Sequence, residues 1–371
     1  MKVTIERGTL LKALSHVQSV VERRNTIPIL SNVLLRADGG TLSLTATDLD
    51  IEIVEHVPAD VEQPGAATAA AVTLFDIVKK LPDGTQVQLE KTSMGRLQLT
   101  AGHSEFSLAV LPEDDFPVLP QAEGGKSFEV PAEDLSRLID KARFAMSQEE
   151  TRYYLNGIYM HASEEGGEKT LRAVATDGHR LARIDADLPQ GAEGLEGIII
   201  PRKAVLELRR LLDDAGETVE MQVSSGRVRF AFDDIALTTK LIDGTFPDYA
   251  RVIPQGNDKL MRVSPAEFAK SVDRVSTVSA DKTRSVKLAL EGDTLRLNVN
   301  SPETGTATED LGVDYPGEPI EIGFNARYLL DITSQIDGDT MTFAFADTAS
   351  PTLITDEADE RALYVLMPLR V

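Results

Sequence analysis

Apolar and polar positions alternate along Val3-Thr-Ile5, and apolar residues then recur at Leu10, Leu14 and Val17. This is a change from period two to helical spacing, and it predicts a strand feeding a helix. The change returns 125 residues on, as Phe128-Glu-Val130 followed by Leu135, Ile139 and Ala142. It returns again 258 residues from the first, as Met261-Arg-Val263 followed by Phe268, Val272 and Val275. A second helix is predicted in every copy by Phe75-Asp-Ile77 with Leu81, Leu206-Glu-Leu208 with Leu212, and Leu330-Asp-Ile332 with Ile336. Strands follow it at Val87-x-Leu89, Val219-x-Met221-x-Val223 and Met341-x-Phe343-x-Phe345. Others lie between the helices: Leu42-Ser-Leu44-Thr-Ala46, Leu171-Arg-Ala173-Val-Ala175 and Leu295-Arg-Leu297-Asn-Val299. The pattern predicts an α+β fold class of three tandem similar domains of about 120 residues, each with two helices on antiparallel sheets. The expected domains are residues 1–120, 127–250 and 259–371.

The joins carry Pro, Gly and a Phe-Pro pair at the same offset, Phe116-Pro117 and Phe246-Pro247, and are expected to act as semi-rigid spacers. After Val365-Leu-Met-Pro368 no fourth copy follows, so a short free tail is expected.

Charge changes the picture. The 371 residues hold 38 Lys+Arg against 60 Asp+Glu, a net −22, which disfavours a generic basic nucleic-acid binder. The 42% apolar share with 26% charged residues describes a globular chain with a real core. With no Cys, thiol catalysis, disulfides and Cys-ligated metal are excluded, and a reducing compartment fits. Glu6 and Arg7 fall where a secretory apolar segment would sit, and apolar runs such as Gly197–Pro201 are far short of the roughly 20 residues that span a bilayer. The expected location is the cytoplasm.

Placement of the bases is more informative than their sum. In the first helix of each copy Lys12 corresponds to Arg137 and Lys270, and one turn on His16 corresponds to Lys141 and Arg274. None of these positions belongs to the apolar stripe. In the second helix Lys79 matches Arg210, with Ser334 in the third copy. Lys and Arg commonly solvate polar helix faces, but recurrence at equivalent slots favours a shared basic surface that touches phosphates without reading sequence.

Thr176-Asp-Gly-His-Arg180 gathers groups that could do chemistry. Thr47-Asp48 occupies the same slot in the first copy, so the Thr-Asp pair reads as a turn in which Asp bonds local amides. His179 and Arg180 are peculiar to the second copy. An enzyme built on His179 needs a nucleophile and an orienting carboxylate beside it. The other histidines, His16, His56, His103 and His161, lack metal-ligand spacing, no phosphate-binding glycine loop occurs, and no cofactor is expected. Arg152-Tyr153-Tyr154 reads either as the start of a core strand or as a loop that touches nucleic acid or a partner.

Taken together, Ile27-Pro-Ile-Leu30, Arg152-Tyr-Tyr-Leu-Asn-Gly157, Ala175-Thr-Asp-Gly-His-Arg-Leu181, Pro201-Arg-Lys203, Asp243-Gly-x-Phe-Pro-Asp-Tyr249, Ile322-Gly-Phe-Asn325 with Tyr328, and Met367-Pro368 with Arg370 carry an end-to-end resemblance. The chain resembles the bacterial DNA sliding clamps, the beta subunits of DNA polymerase III. The resemblance implies the DNA-clamp fold, with a head-to-tail homodimer forming a ring of six domains around double-stranded DNA. It implies a processivity factor with no catalysis or metal of its own, bound in turn by a replicative polymerase subunit, a clamp loader and repair proteins through short linear motifs. DNA contacts implied by it are Arg24, Tyr153, Tyr154, Arg202 and Lys203, beside Lys12, Lys79, Arg137, Lys141, Lys270 and Arg274 from the helix pattern. The implied partner-peptide pocket comprises Arg152, Leu155, Thr176, Gly178, His179, Arg180, Leu181, Pro247, Arg251, Val252, Asn325, Tyr328, Val365, Leu366, Met367, Pro368, Leu369 and Arg370. The implied dimer interface sets Phe106 and Leu108 against Thr277 and Val278. Three positions depart from the family pattern: Thr283 for an aromatic at the pocket edge, Pro351 for a small polar residue, and Glu105 in an interface strand that is often basic. The reading from another class is a tandem-repeat scaffold that binds only proteins and does not encircle DNA.

Overall fold

The structure is a computed structural model and describes residues 1–22, 26–119, 124–279 and 285–370. The first repeat runs β1 (Lys2–Glu6), α1 (Arg7–Val17), β2 (Asn32–Asp38), β3 (Thr41–Thr47), β4 (Ile51–Pro58), β5 (Asp60–Gln63), β6 (Gly65–Ala70), α2 (Ala71–Lys80), β7 (Gln86–Lys91), β8 (Arg96–Ala101) and β9 (Ser104–Ala109). The second runs β10 (Lys126–Pro131), α3 (Ala132–Ala142), β11 (Gly157–Glu165), β12 (Glu168–Thr176), β13 (Arg180–Asp187), β14 (Ile198–Pro201), α4 (Arg202–Leu212), β15 (Thr218–Ser224), β16 (Arg227–Phe232) and β17 (Ile235–Lys240). The third runs β18 (Lys259–Val263), α5 (Pro265–Ser276), β19 (Ser285–Glu291), β20 (Thr294–Ser301), β21 (Gly305–Gly312), β22 (Ile320–Asn325), α6 (Ala326–Thr333), β23 (Met341–Phe345), β24 (Thr352–Asp356) and β25 (Asp359–Leu366).

The helices form where spacing and caps agree. Glu6 caps α1 by accepting the Thr9 N–H at 2.9 Å, and Leu10, Leu14 and Val17 are its buried stripe. Pro265 opens α5, where its missing N–H costs nothing, and Phe268, Val272 and Val275 are buried. Asn325 caps α6 through the Arg327 N–H. In the second helices the shared buried slot is Leu74, Val205 and Leu329, one residue before Phe75, Leu206 and Leu330; Leu206 is exposed.

The sheets do not respect the repeats. In one compact unit, an eight-stranded sheet runs β10-β15-β16-β17-β4-β3-β2-β6, so β17 of the second repeat pairs with β4 of the first. A five-stranded sheet, β5-β1-β7-β8-β9, completes that unit and ends on the edge strand β9. The other unit is built likewise: β14-β11-β12-β13-β25-β24-β23-β18, with β13 paired to β25 of the third repeat, and a four-stranded sheet β21-β20-β19-β22. The middle repeat is thus divided between two compact units.

Two expectations about connections are corrected. The Phe-Pro segments are docked straps rather than spacers. Phe116 is buried among Ile29, Leu30, Leu34 and Ala66, and Phe246 among Leu155, Leu181, Ile199 and Val365. Burying an aromatic ring outweighs the freedom a spacer would keep. Nor is the tail after Pro368 free: the Met367 N–H donates to the His179 carbonyl at 2.9 Å and the Leu369 N–H to the Gly323 carbonyl at 2.8 Å.

Candidate functional site

A cleft of about 310 Å³ opens within the second unit. Its floor is Leu155, Leu181 and Val365, all buried, and Val252 and Met367 stand exposed at its rim. Arg152, Thr176, Gly178, Arg180 and Pro247 also line it. Three further lining residues lay outside the implied pocket: Tyr154, which the resemblance assigned to DNA, and Asp248 and Tyr249. The last two belong to the Phe-Pro-Asp-Tyr run, and an aromatic inside a proline-rich join was the available signal.

Local turns set the cleft's polar rim. Asp177 accepts from the His179 and Arg180 N–H groups at 2.9 and 3.0 Å, while the Thr176 hydroxyl donates to the Arg180 carbonyl. Thr47-Asp48 repeats this construction, with Asp48 accepting from Asp50 and Ile51. The pair is a turn device in both copies. Gly178 sits at φ +87°, and a Cβ there would lie 2.5 Å from Arg152 Nη1, so glycine lets the guanidinium cross the turn. Leu49 holds the same left-handed geometry at φ 81° in the first copy.

Arg180 is a hub. It donates to Asp177, to Asp331 at 2.5 Å and to the Phe144 carbonyl at 2.7 Å. Its guanidinium lies 4.2 Å from the Tyr328 ring centroid and 5.1 Å from that of Phe144. It thereby ties α6 to β13 and stiffens one wall. Exposed His179 stacks near Tyr328 at 6.4 Å, and Asn325 is spent capping α6. Arg251, Pro368, Leu369 and Arg370 do not line the cleft itself, and Arg251 pairs with Asp248 at its edge. Leu366 is corrected: alternation along β25 turns it away from the face that bears Val365, and it is fully buried. Thr283 and Arg24 lie outside the described residues. Pro351 offers its carbonyl to the Asn257 amide at 3.0 Å.

The basic slots divide sharply. Lys79 and Lys270 are exposed on α2 and α5, Lys12 is exposed beside Asp214 at 3.0 Å, and exposed Arg274 pairs with Glu309. Lys141 is corrected as a surface cation: only 7% exposed, it is held by Asp337 at 2.7 Å, Asp359 at 3.2 Å and the Gln335 carbonyl. Half-buried Arg137 grips Asp359 with two bonds of 2.5 and 2.6 Å. Burying an ammonium requires such partners. These two residues tie α3 to β25. His16, in the equivalent slot of α1, is likewise buried between Glu55 at 2.8 Å and Asp214 at 2.9 Å. Burial opposes its charge, but the two carboxylates prevail and raise its pKa.

Arg152-Tyr153-Tyr154 is not a strand: it lies across two short 3₁₀ turns joined by a kink at Arg152 (φ −111°, ψ 49°), with Tyr153 53% exposed and Tyr154 packed against the cleft cluster. Arg202 is half-buried, and burial with nearby Arg180 lowers its pKa. Lys203 is bonded to Asp48, Glu22 and the Val20 carbonyl. On edge strand β9, Phe106 and Leu108 share one face as half-buried side chains, Glu105 is exposed on the other, and Thr277 and Val278 follow α5.

An apolar floor with a mixed-charge rim is the chemistry of a docking surface, and the chain is built as a binding protein of tandem α+β repeats. Family models of the DNA polymerase III beta subunit match throughout: the N-terminal domain over residues 1–120, the central domain over 129–248 and the C-terminal domain over 250–370. The beta sliding clamp of Caulobacter vibrioides is 58% identical over 372 residues, with 100% of both chains covered. That of Escherichia coli K12 is 39% identical over 372 residues with the same coverage. Among solved structures, the Caulobacter crescentus beta sliding clamp superposes with a TM-score of 0.96 at 58% identity. The Bartonella birtlesii sliding clamp bound to griselimycin does so at 0.98 and 47%, each covering 100% of both chains. The chain therefore belongs to the DNA polymerase III beta subunit family, the beta sliding clamps. It is a non-catalytic processivity subunit of the replicative polymerase. No helix among the described residues is long and apolar enough to cross a membrane.

Proposed function

We propose that two copies of this chain pair head to tail around duplex DNA, without reading its sequence, and hold the polymerase, clamp loader and repair proteins through short linear segments seated in the cleft. The observation that carries this reading is the cleft itself: buried Leu155, Leu181 and Val365 beneath a rim set by Arg152, Arg180 and the Thr176–Gly178 turn. Such a site takes apolar anchors of an extended peptide and fixes its backbone by polar contacts. The edge strand β9, with Phe106 and Leu108 on one face, supports pairing with the Thr277–Val278 region of a second copy. Exposed Lys12, Lys79, Lys270 and Arg274 in a chain of net −22 support weak, diffuse phosphate contact along the helices. Arg24, Arg202, Lys203, Tyr153 and Tyr154 are assigned to DNA, and residues 1–120, 127–250 and 259–371 are taken as the three domains. Cytoplasmic placement follows from the work on replicating DNA.

Tethering raises the local concentration of a bound polymerase at the primer end without chemistry by the clamp. The test is retention after loading with a cognate clamp loader and ATP at raised salt. Protein that stays on nicked circles and leaves linear duplex by its ends supports encirclement. Equal release from both forms overturns it in favour of a protein-binding scaffold.

A further inference from the structure

One wall of the cleft is Tyr249, and a row of polar side chains runs behind it. His161, Arg172 and Asp185 stand directly opposite one another across β11, β12 and β13. Arg172 is buried and donates to Asp185 at 2.6 and 3.0 Å, to Glu165 at 2.6 and 3.1 Å, and to the Tyr249 hydroxyl oxygen at 3.3 Å. His161 Nδ1 lies 2.8 Å from the Ala162 carbonyl, and its Nε2 lies 2.9 Å from the Tyr249 hydroxyl. A carbonyl can only accept, so the ring proton sits on Nδ1 and Nε2 is the acceptor. The chain of donation then has one direction: Arg172 to Tyr249 oxygen, Tyr249 O–H to His161, His161 to Ala162. The His161 ring is further held by Tyr159 at 4.9 Å, which itself stacks on Phe246 at 4.7 Å and 4°.

We propose that His161 is a positioning residue of the docking cleft: as neutral acceptor it fixes the Tyr249 wall, and its protonation releases that wall and weakens ligand binding. The proposal rests on the docking reading given above. Protonated His161 has no acceptor to offer. Its Nε2–H competes with Arg172 for one oxygen, and the phenol's own proton loses its partner. The groups facing the ring are Tyr249, Tyr159 and cationic Arg172, with Asp185 and Arg183 on β13 and Glu165 on β11. Burial lowers the His161 pKa and the Arg172 charge acts the same way, outweighing the Ala162 carbonyl, Asp185 and Glu165, which raise it. The imidazole is therefore neutral at pH 7.5.

Griselimycin, bound by the Bartonella birtlesii relative, serves as probe for calorimetry on the full chain. Loss of one buried hydrogen bond corresponds to about a three- to tenfold change in affinity. The wild type is expected to weaken by up to that factor as pH falls from 7.5 through the lowered His161 pKa, below the ordinary histidine range. His161→Ala and Tyr249→Phe are expected to be weak already at pH 7.5. His161→Gln, whose amide oxygen restores the acceptor, keeps affinity and loses the His161 share of the pH dependence. Val252→Asp, at the exposed rim, abolishes binding if the cleft is the site. No binding to the wild type, or undiminished binding to Val252→Asp, overturns the docking reading and this proposal with it. If Val252→Asp abolishes binding while His161→Gln titrates as the wild type, the role of His161 alone is refuted.

Discussion

Phe246→Ala tests whether the join between the second and third repeats is a strap. The ring is 7% exposed, lies parallel to Tyr159 and packs on residues that floor the cleft. Truncating a buried Phe costs about 3–5 kcal/mol. The neighbouring backbone turns at Gly244 and can partly collapse into the space, so the low end, about 3 kcal/mol, is the expected loss. Hydrogen exchange localises it. The Ile242 N–H, bonded to the Ile199 carbonyl at 3.0 Å, opens with the strap. At 1.4 kcal/mol per power of ten its protection should fall by about two powers of ten. Amides of β4, in the other compact unit, should keep theirs. A flexible spacer would give less than about 0.5 kcal/mol, as surface changes do, and unchanged Ile242 protection. Either result would refute the strap.

Three further outcomes are expected. His16→Gln removes a cation whose folded pKa is raised, so the wild type's advantage in guanidinium unfolding is full below about pH 6.5 and fades as pH rises through the raised value; an advantage that grows with pH contradicts the ion-pair assignment. Lys141→Met should cost about 1.5–3 kcal/mol through Asp337 and Asp359, leaving DNA retention of the folded fraction intact, whereas Lys270→Glu should do the reverse in the same two assays. Gly178→Ala should lower stability by about 1 kcal/mol and displace Arg152; unchanged stability would remove the glycine from the cleft's construction.

The strand-then-helix switch at Val3, Phe128 and Met261 was legible because a short apolar period needs only near neighbours. What escaped depends on distant ones. Lys141 looks like a surface base until Asp359, on β25, is brought against it, and His16 meets Asp214, 198 residues along the chain. The pairing of β17 with β4 leaves no mark in either strand, since both alternate as any edge or centre strand would. In the cleft, the Thr-Asp turn was readable from its copy in the first repeat. The Tyr249 wall was hidden within a run whose Pro and Gly content reads as a linker.

The seam between β4 and β17 also sets a timetable for synthesis. β4 ends at Pro58, and its neighbour begins at Ile235. At 5–20 residues per second, roughly ten to forty seconds pass before the ribosome delivers the strand that covers it. Through that interval the nascent first repeat carries a bare, largely apolar sheet edge, open to capture by another chain. Slowing translation between the two repeats lengthens that exposure, and the edge stays uncovered until Lys240 emerges.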